Sequence, residues 1–185
     1  YNYLLAMRYI SSFILFILAS VARYTDHLHR ALVGLPQMAR SEITPQLYLG
    51  GQYSKKGYQK MKQIGITAIV NMRETPAPMY QDTQSLRILH LPTKDMNEPT
   101  IADLVTGIQF IQDEVDRGGK VYIHCRLGEG RGPTMMIAYL ISTGLTVEDA
   151  FKLVQNVRPF IRPTYVQRTQ LAKLDEMLRS NSLSF

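Results

Sequence analysis

The sequence predicts an α/β fold: a central, mostly parallel sheet of four to five strands flanked by helices, with an amphipathic helix added at the N-terminus. Three observations carry that reading. From Ser41 onward, short apolar runs of strand length alternate with longer stretches of helical spacing. Glycines close several of those stretches, at Gly50-Gly51, Gly65 and Gly118-Gly119. The 185 residues, 45% hydrophobic and 19% charged, suffice for one domain with a proper core and are too few for two.

The first element is the apolar segment from Tyr1 to about Ala22. Tyr3, Met7, Ile10, Ile14, Ile17 and Val21 recur at helical spacing on one face, and Arg8, Ser11, Ser12, Ala19 and Arg23 fall opposite. The uncharged run from Tyr9 to Ala22 is 14 residues, short of the roughly 20 that span a bilayer. Three readings compete: an amphipathic helix lying on a membrane or docked on the domain, a tilted transmembrane anchor, and a cleaved signal peptide ending near Ser20-Val21-Ala22. The two unlike faces favour the first.

Past Ser41, Leu47-Tyr48-Leu49 reads as a strand and Tyr53 to Ile64 as a basic helix closed by Gly65. Thr67 to Asn71 and Leu86 to Leu91 read as strands. Thr100 opens a helix with Asp103 three residues on, a capping-box arrangement that explains this aspartate; the helix runs to about Arg117. Asp113, Glu114 and Asp116 are expected on its exposed end. Lys120 to His124 is the next strand, and helices follow at about Pro133–Ser142, Thr146–Val157 and Thr164–Arg179.

Half of the +6 net charge lies in residues 1–40, where Arg8, Arg23, Arg30 and Arg40 outnumber Asp26. That excess suits an anionic lipid surface, so residues 1–23 are a candidate membrane contact. It is too weak for nucleic acid, and no basic-aromatic platform accompanies it. One cysteine rules out an intrachain disulfide and fits a reducing, cytoplasmic setting. His27 and His29 show no metal-site spacing and no convincing partners.

Chemistry concentrates in His124-Cys125-Arg126-Leu127-Gly128-Glu129-Gly130-Arg131-Gly132-Pro133-Thr134, between the strand Val121-Tyr122-Ile123 and the helix at Met135. A strand feeding a glycine-bearing loop and then a helix N-terminus builds an anion site from inward-pointing amides and the helix dipole. Cys125 opens the loop beneath the anion, and Arg131 closes it with a guanidinium fork. Gly128 and Gly130 let the backbone turn. His-Cys-x-x-Gly-x-x-Arg arises by chance in roughly one chain of this length in several thousand, before the strand and helix are required.

This segment resembles the phosphate loop of the protein tyrosine phosphatase superfamily: His-Cys, five residues, then Arg followed by Ser or Thr. The stretch from Cys125 to Gly128 and through Pro133-Thr134 into Ile137-Ala138-Tyr139-Leu140 is most similar to small dual-specificity phosphatases. The resemblance runs from about Ile43 to Leu178. It takes in Ile43-Thr44-Pro45-Gln46-Leu47-Tyr48-Leu49-Gly50-Gly51 and Val157-Arg158-Pro159, and divides the chain into an N-terminal segment, 1–40, and a catalytic domain, 41–185.

The resemblance implies Cys125 as nucleophile, Arg131 and the amides of Arg126, Leu127, Gly128, Glu129 and Gly130 as phosphate ligands, and no cofactor or metal. It implies an acid on a loop some thirty residues before the cysteine. Asp95 fits, among Pro92, Asn97 and Pro99, with Glu98 as runner-up. His124 is expected to support the sulfur and Arg126 to touch substrate at the rim. Gly132 departs from the family, whose Ser or Thr there hydrogen-bonds the departing thiolate; Thr134 can compensate in part. The expected substrates are phosphotyrosine, phosphoserine or phosphothreonine in proteins. Phosphoinositides, phosphoglucans, or a pseudophosphatase that only binds phosphate are the alternatives. Glu129 in the loop is expected to repel a polyanion.

Overall fold

The computed structural model describes residues 2–76, 86–180 and 182–183, with side chains from residue 11 onward. Five strands form its sheet: β1 Glu42–Thr44, β2 Leu47–Gly50, β3 Ala68–Asn71, β4 Arg87–His90 and β5 Val121–His124, in the order β1-β2-β5-β3-β4. The three pairings among β2, β5, β3 and β4 are parallel, and β1 is antiparallel to β2. At three residues, with only Ile43 apolar and buried, β1 is the strand that apolar patterning misses. The Thr44 hydroxyl accepts from the Leu47 amide at 3.1 Å and folds β1 back on β2.

Strand residues divide between two cores with the period of two that a pleated sheet imposes. Leu47, Leu49, Ala68, Val70, Val121 and Ile123 face one way, and Tyr48, Ile69 and Tyr122 the other. The second face is covered by α2, Lys55–Gln63, through Tyr58 and Met61. The first receives α4, Arg131–Ser142, ringed by α3 Ile101–Asp116, α5 Val147–Val157 and α6 Tyr165–Arg179. Residues Arg131 to Ile141 are all buried, which is why this helix reads as apolar throughout. Thr100 and Asp103 cap α3 reciprocally, as their spacing predicts. Glu114, expected to be exposed, is buried instead, 2.7 Å from Arg87.

Helix α1 spans Asn2–Val33, eleven residues beyond the apolar segment. Arg23, Asp26, His27, His29 and Arg30 interrupt the apolar pattern, yet the helix continues: His29 Nδ1 meets the Leu35 carbonyl at 2.9 Å, Arg30 donates to the Gln52 carbonyl at 3.4 Å, and the surroundings of the other three are described below. The face formed by Tyr3, Met7 and Ile10, with Arg8 opposite, lies outside the described side chains. In the remainder, Phe13 to Leu18 are exposed on every side of the helix, so no buried face forms before Ala22. Among the described residues no helix is long and apolar enough to cross a membrane. The helix ends at Gly34, in the left-handed region at φ 86°. There the Ser54 amide donates to the Gly34 carbonyl at 2.9 Å, and a Cβ on Gly57 would overlap Gly34.

Candidate active site

The loop 124–131 leaves the end of β5 and enters α4, so the central strand and the most buried helix fix both of its ends. Arg131 is already the first residue of α4, two positions earlier than Pro133, and Gly130 is its N-cap. Cys125 is 3% exposed, and its Sγ accepts from the Gly128 amide at 3.3 Å. Gly128 adopts φ 73°, and a Cβ there would meet the Gly50 backbone at 2.5 Å, so both conformation and room demand glycine. Gly130 is not in the left-handed region; a Cβ there would press on Gln167 Oε1 at 3.1 Å.

Arg131 lies at the floor of a cavity of about 610 Å³, together with Cys125, Arg126, Leu127 and Asp95. One terminal nitrogen donates to the Thr93 carbonyl at 2.8 Å, and the other meets Asp95 Oδ1 at 2.8 Å. Asp95 itself is largely exposed, and its loop is held from α6. The Thr164 hydroxyl donates to the Met96 carbonyl and Gln167 Nε2 to the Asn97 carbonyl, at 3.1 and 2.8 Å. Met96 takes φ 67°, a conformation costly for a side-chain residue, at the turn beside the carboxylate. Glu98 is exposed and outside the cavity lining.

His124 is fully buried between Tyr53 and Tyr122, with ring centroids at 5.1 and 5.9 Å. Its Nδ1 donates to the Cys125 carbonyl at 3.2 Å, so it reaches the cysteine through the backbone rather than through sulfur. Burial pushes its pKa down to about 3, against the opposing pull of that carbonyl, and the ring is neutral. At Gly132 a Cβ would stand 3.2 Å from Leu49 Cδ1 and 3.4 Å from the Cys125 amide. The Thr134 hydroxyl donates to the Gly130 carbonyl at 2.9 Å, which commits its proton away from the sulfur.

The loop carbonyls are held by residues that spacing alone does not flag. Arg158, fully buried, donates to the Gly128 carbonyl at 2.8 Å and to the Leu127 carbonyl at 3.0 Å. It also donates to the Arg40 carbonyl at 3.2 Å and meets Asp26 Oδ2 at 3.0 Å. Asp26 comes from α1 and is fully buried as well; its other oxygen accepts the Gln37 amide at 3.1 Å. A buried charge persists only when paired and hydrogen-bonded, and this pair meets both conditions. Arg158 belongs to the Val157-Arg158-Pro159 resemblance, but nothing in the sequence joins it to Asp26, 132 positions away.

Glu129 departs from expectation. Its carboxylate is bridged by Arg23 at 2.8 Å and Arg162 at 3.3 Å, with His27 Nε2 3.1 Å away. It therefore does not stand as a free negative charge against an incoming anion; of the two histidines read as partnerless, His27 lies near Glu129 without hydrogen-bonding it, and His29 Nδ1 meets the Leu35 carbonyl at 2.9 Å. Burial lowers the His27 pKa more than Glu129 raises it. No group of His, Cys, Asp or Glu among the described residues is arranged to hold a metal ion.

Comparison with known proteins places this geometry. The family described as dual specificity phosphatase, catalytic domain, matches residues 47–177. Dual specificity protein phosphatase 1-A of Xenopus laevis is 28% identical over 145 residues, 77% of this chain and 39% of the relative. The phosphatidylglycerophosphate phosphatase PTPMT2 of Arabidopsis thaliana is 29% identical over 125 residues, 64% of this chain and 54% of the relative. The chain thus spans about half or less of these relatives. The crystal structure of human DUSP28 superposes with a TM-score of 0.70 at 26% identity, over 76% of this chain and 99% of that one. That of PTPMT1 in complex with PI(5)P gives 0.71 at 24% identity, over 76% and 97%, a likeness of fold.

Proposed function

The chain belongs to the dual specificity phosphatase family, and on that premise we propose that it hydrolyses phosphate monoesters through a cysteinyl-phosphate intermediate. The observation that carries this reading is the shared cavity in which the Cys125 sulfur, the Arg131 guanidinium and the Asp95 carboxylate converge. Cys125 attacks phosphorus in line, a P–S bond forms, and the P–O bond to the leaving group breaks. Asp95, in its acid form, gives that oxygen a proton. Arg131 and the loop amides hold the equatorial oxygens, where charge develops. A bound phosphoryl group takes the edge of Arg131 that Asp95 now occupies and turns the carboxyl toward the leaving oxygen. Water then attacks phosphorus, Asp95 takes its proton, and the P–S bond breaks.

The substrates proposed are phosphotyrosine and phosphoserine or phosphothreonine in proteins. A lipid phosphomonoester is the second reading, and two features favour it. Arg23, Arg126 and Arg162 join Arg131 around the cavity, and Phe13, Leu15, Phe16 and Leu18 of the same helix as Arg23 are each more than half exposed. On this reading the exposed stretch rests on a membrane surface.

An aryl phosphate assay tests the central claim. Turnover should fall more than about a thousandfold in Cys125→Ser while phosphate-ester binding persists. Asp95→Asn should lose about 10²–10⁴ on esters with poor leaving groups and far less on acidic phenols. Equal loss on both ester types, or a larger loss in Glu98→Gln, would remove Asp95 from the role of acid. A panel of phosphopeptides and vesicle-borne lipid phosphates separates the two substrate readings.

A further inference from the structure

Resting on the reading of Asp95 as the acid, we infer that Thr164, Gln167 and Gln170, at the start of α6, are positioning residues. They hold the loop that carries Asp95 in register with Cys125 and Arg131. Each donates to a main-chain carbonyl just past the aspartate. The Thr164 hydroxyl reaches Met96, Gln167 Nε2 reaches Asn97 and Gln170 Nε2 reaches Pro99, at 3.1, 2.8 and 2.8 Å. From the other side Arg131 takes the Thr93 carbonyl and the Asp95 carboxylate, both at 2.8 Å.

Packing does not account for these bonds. Residues Lys94 to Glu98 are all exposed, so apolar burial contributes little to holding the segment. An exposed turn can satisfy its carbonyls with water at little cost, so protein donors there fix its place. Met96 adds strain at φ 67° beside the carboxylate, a conformation that persists where the surroundings over-determine it. Gln167 is the junction. It is 1% exposed, and its Oε1 accepts the Thr164 amide at 2.9 Å while its Nε2 holds Asn97. The same Oε1 would meet a Cβ on Gly130 at 3.1 Å. One side chain thus sets the spacing among α6, the 124–131 loop and Asp95. The ties act on carbonyls that follow Asp95, so its carboxyl can turn from Arg131 toward a leaving oxygen while its Cα stays in place.

The test uses the full chain and aryl phosphates whose leaving groups run from phenol to 4-nitrophenol. Gln170→Leu and Gln167→Met should each lose about 10–100-fold on phenyl phosphate and no more than about twofold on 4-nitrophenyl phosphate. Thr164→Val should behave alike, and Thr164→Ser should restore the rate. In the Asp95→Asn background the same changes should cost little further, since the proton whose donor they place is gone. Tryptic cleavage after Lys94, which requires the loop to leave its seat, should be faster in the variants than in the wild type. A lower Tm with an unchanged ester ratio, or full additivity with Asp95→Asn, would overturn the inference and leave the three residues as scaffold. Equal loss on both esters in Asp95→Asn itself would instead be the failure of the acid reading. The ties then stand or fall on cleavage after Lys94: a faster rate in the variants supports them, and an unchanged rate overturns them.

Discussion

Residues 13–21 and 22–33 belong to one continuous helix, yet the apolar stretch has no buried residue, and the two buried residues, Ala22 and Asp26, lie in the charged one. Phe13, Leu15, Phe16 and Leu18 stand in solvent, whereas Asp26 is fully enclosed and Arg23 is tied to Glu129, with His27 beside it. The usual association of polarity with exposure is inverted because burial follows partners, not hydrophobicity alone. A polar side chain enters a protein when each of its hydrogen-bonding groups is met. An apolar one stays outside when the domain offers it no complementary surface.

The contrast can be broken at its buried end with the largest effect. Removing residues 1–34 strips Arg158 of Asp26 and Glu129 of Arg23 and His27 together. The expected result is loss of a cooperative thermal transition, since one buried charge left unpaired already costs about 3–5 kcal/mol. A deletion variant that melts like the full chain would make α1 dispensable to the fold. Asp26→Ala alone should cost about 3–5 kcal/mol, a drop of roughly 6–20 °C in Tm. Adding Arg158→Met should recover part of it, because the unpaired charge is then gone.

The loop that this end of the helix braces gives the next effect. Gly132→Ser puts a hydroxyl beside the cysteine, at the expense of a small shift of the Leu49 side chain. If hydrolysis of the P–S bond limits turnover, this change should raise the steady-state rate about 10–100-fold and shrink a burst of released phenol. A wild-type reaction without a burst, combined with an unchanged rate in the variant, would make Gly132 kinetically silent.

His124 adds a pH dependence on the same side. Its folded pKa, about 3, lies below the ordinary 6.5, so the unfolded chain binds the extra proton between those values. Its contribution is therefore neutral above pH 6.5. Below that pH it destabilises by about 1.4 kcal/mol per unit toward pH 3. Denaturant titrations from pH 7 to 5 should show that slope, and His124→Asn should flatten it.

The smallest effect belongs to the exposed half. Phe13→Ser with Phe16→Ser should move Tm by no more than about 0.5 kcal/mol equivalent, while flotation with anionic vesicles should drop. A large loss of stability from this pair would place the stretch against the domain.

The loop 124–131 is legible because its parts lie within eight consecutive residues, between a strand and a helix that announce themselves. Asp95 was reachable only through family resemblance; its contact with Arg131 spans two elements. Asp26 and Arg158 were not legible, since a buried ion pair looks in sequence like two solvated charges. Thr164 and Gln167 did carry a signal, the T-x-x-Q spacing of a capping box. That signal announces the start of α6 but not that the same glutamine holds the Asn97 carbonyl in the loop that carries Asp95. Strand β1 is not legible as an element because Glu42, Ile43 and Thr44 are too short a run to show a period.

The close approach of Gly34 and Gly57 gives α1 a mechanical character. With no side chain between them, backbone meets backbone, so the helix cannot slide along α2 without breaking the Ser54–Gly34 hydrogen bond. The helix is a lever pinned at one end, with its apolar tip about 30 Å from the pivot. Arg23 and Asp26 sit between tip and pin. Tip and phosphate loop are thus joined through one chain of contacts, from α1 through the Asp26–Arg158 pair to the carbonyls of Leu127 and Gly128.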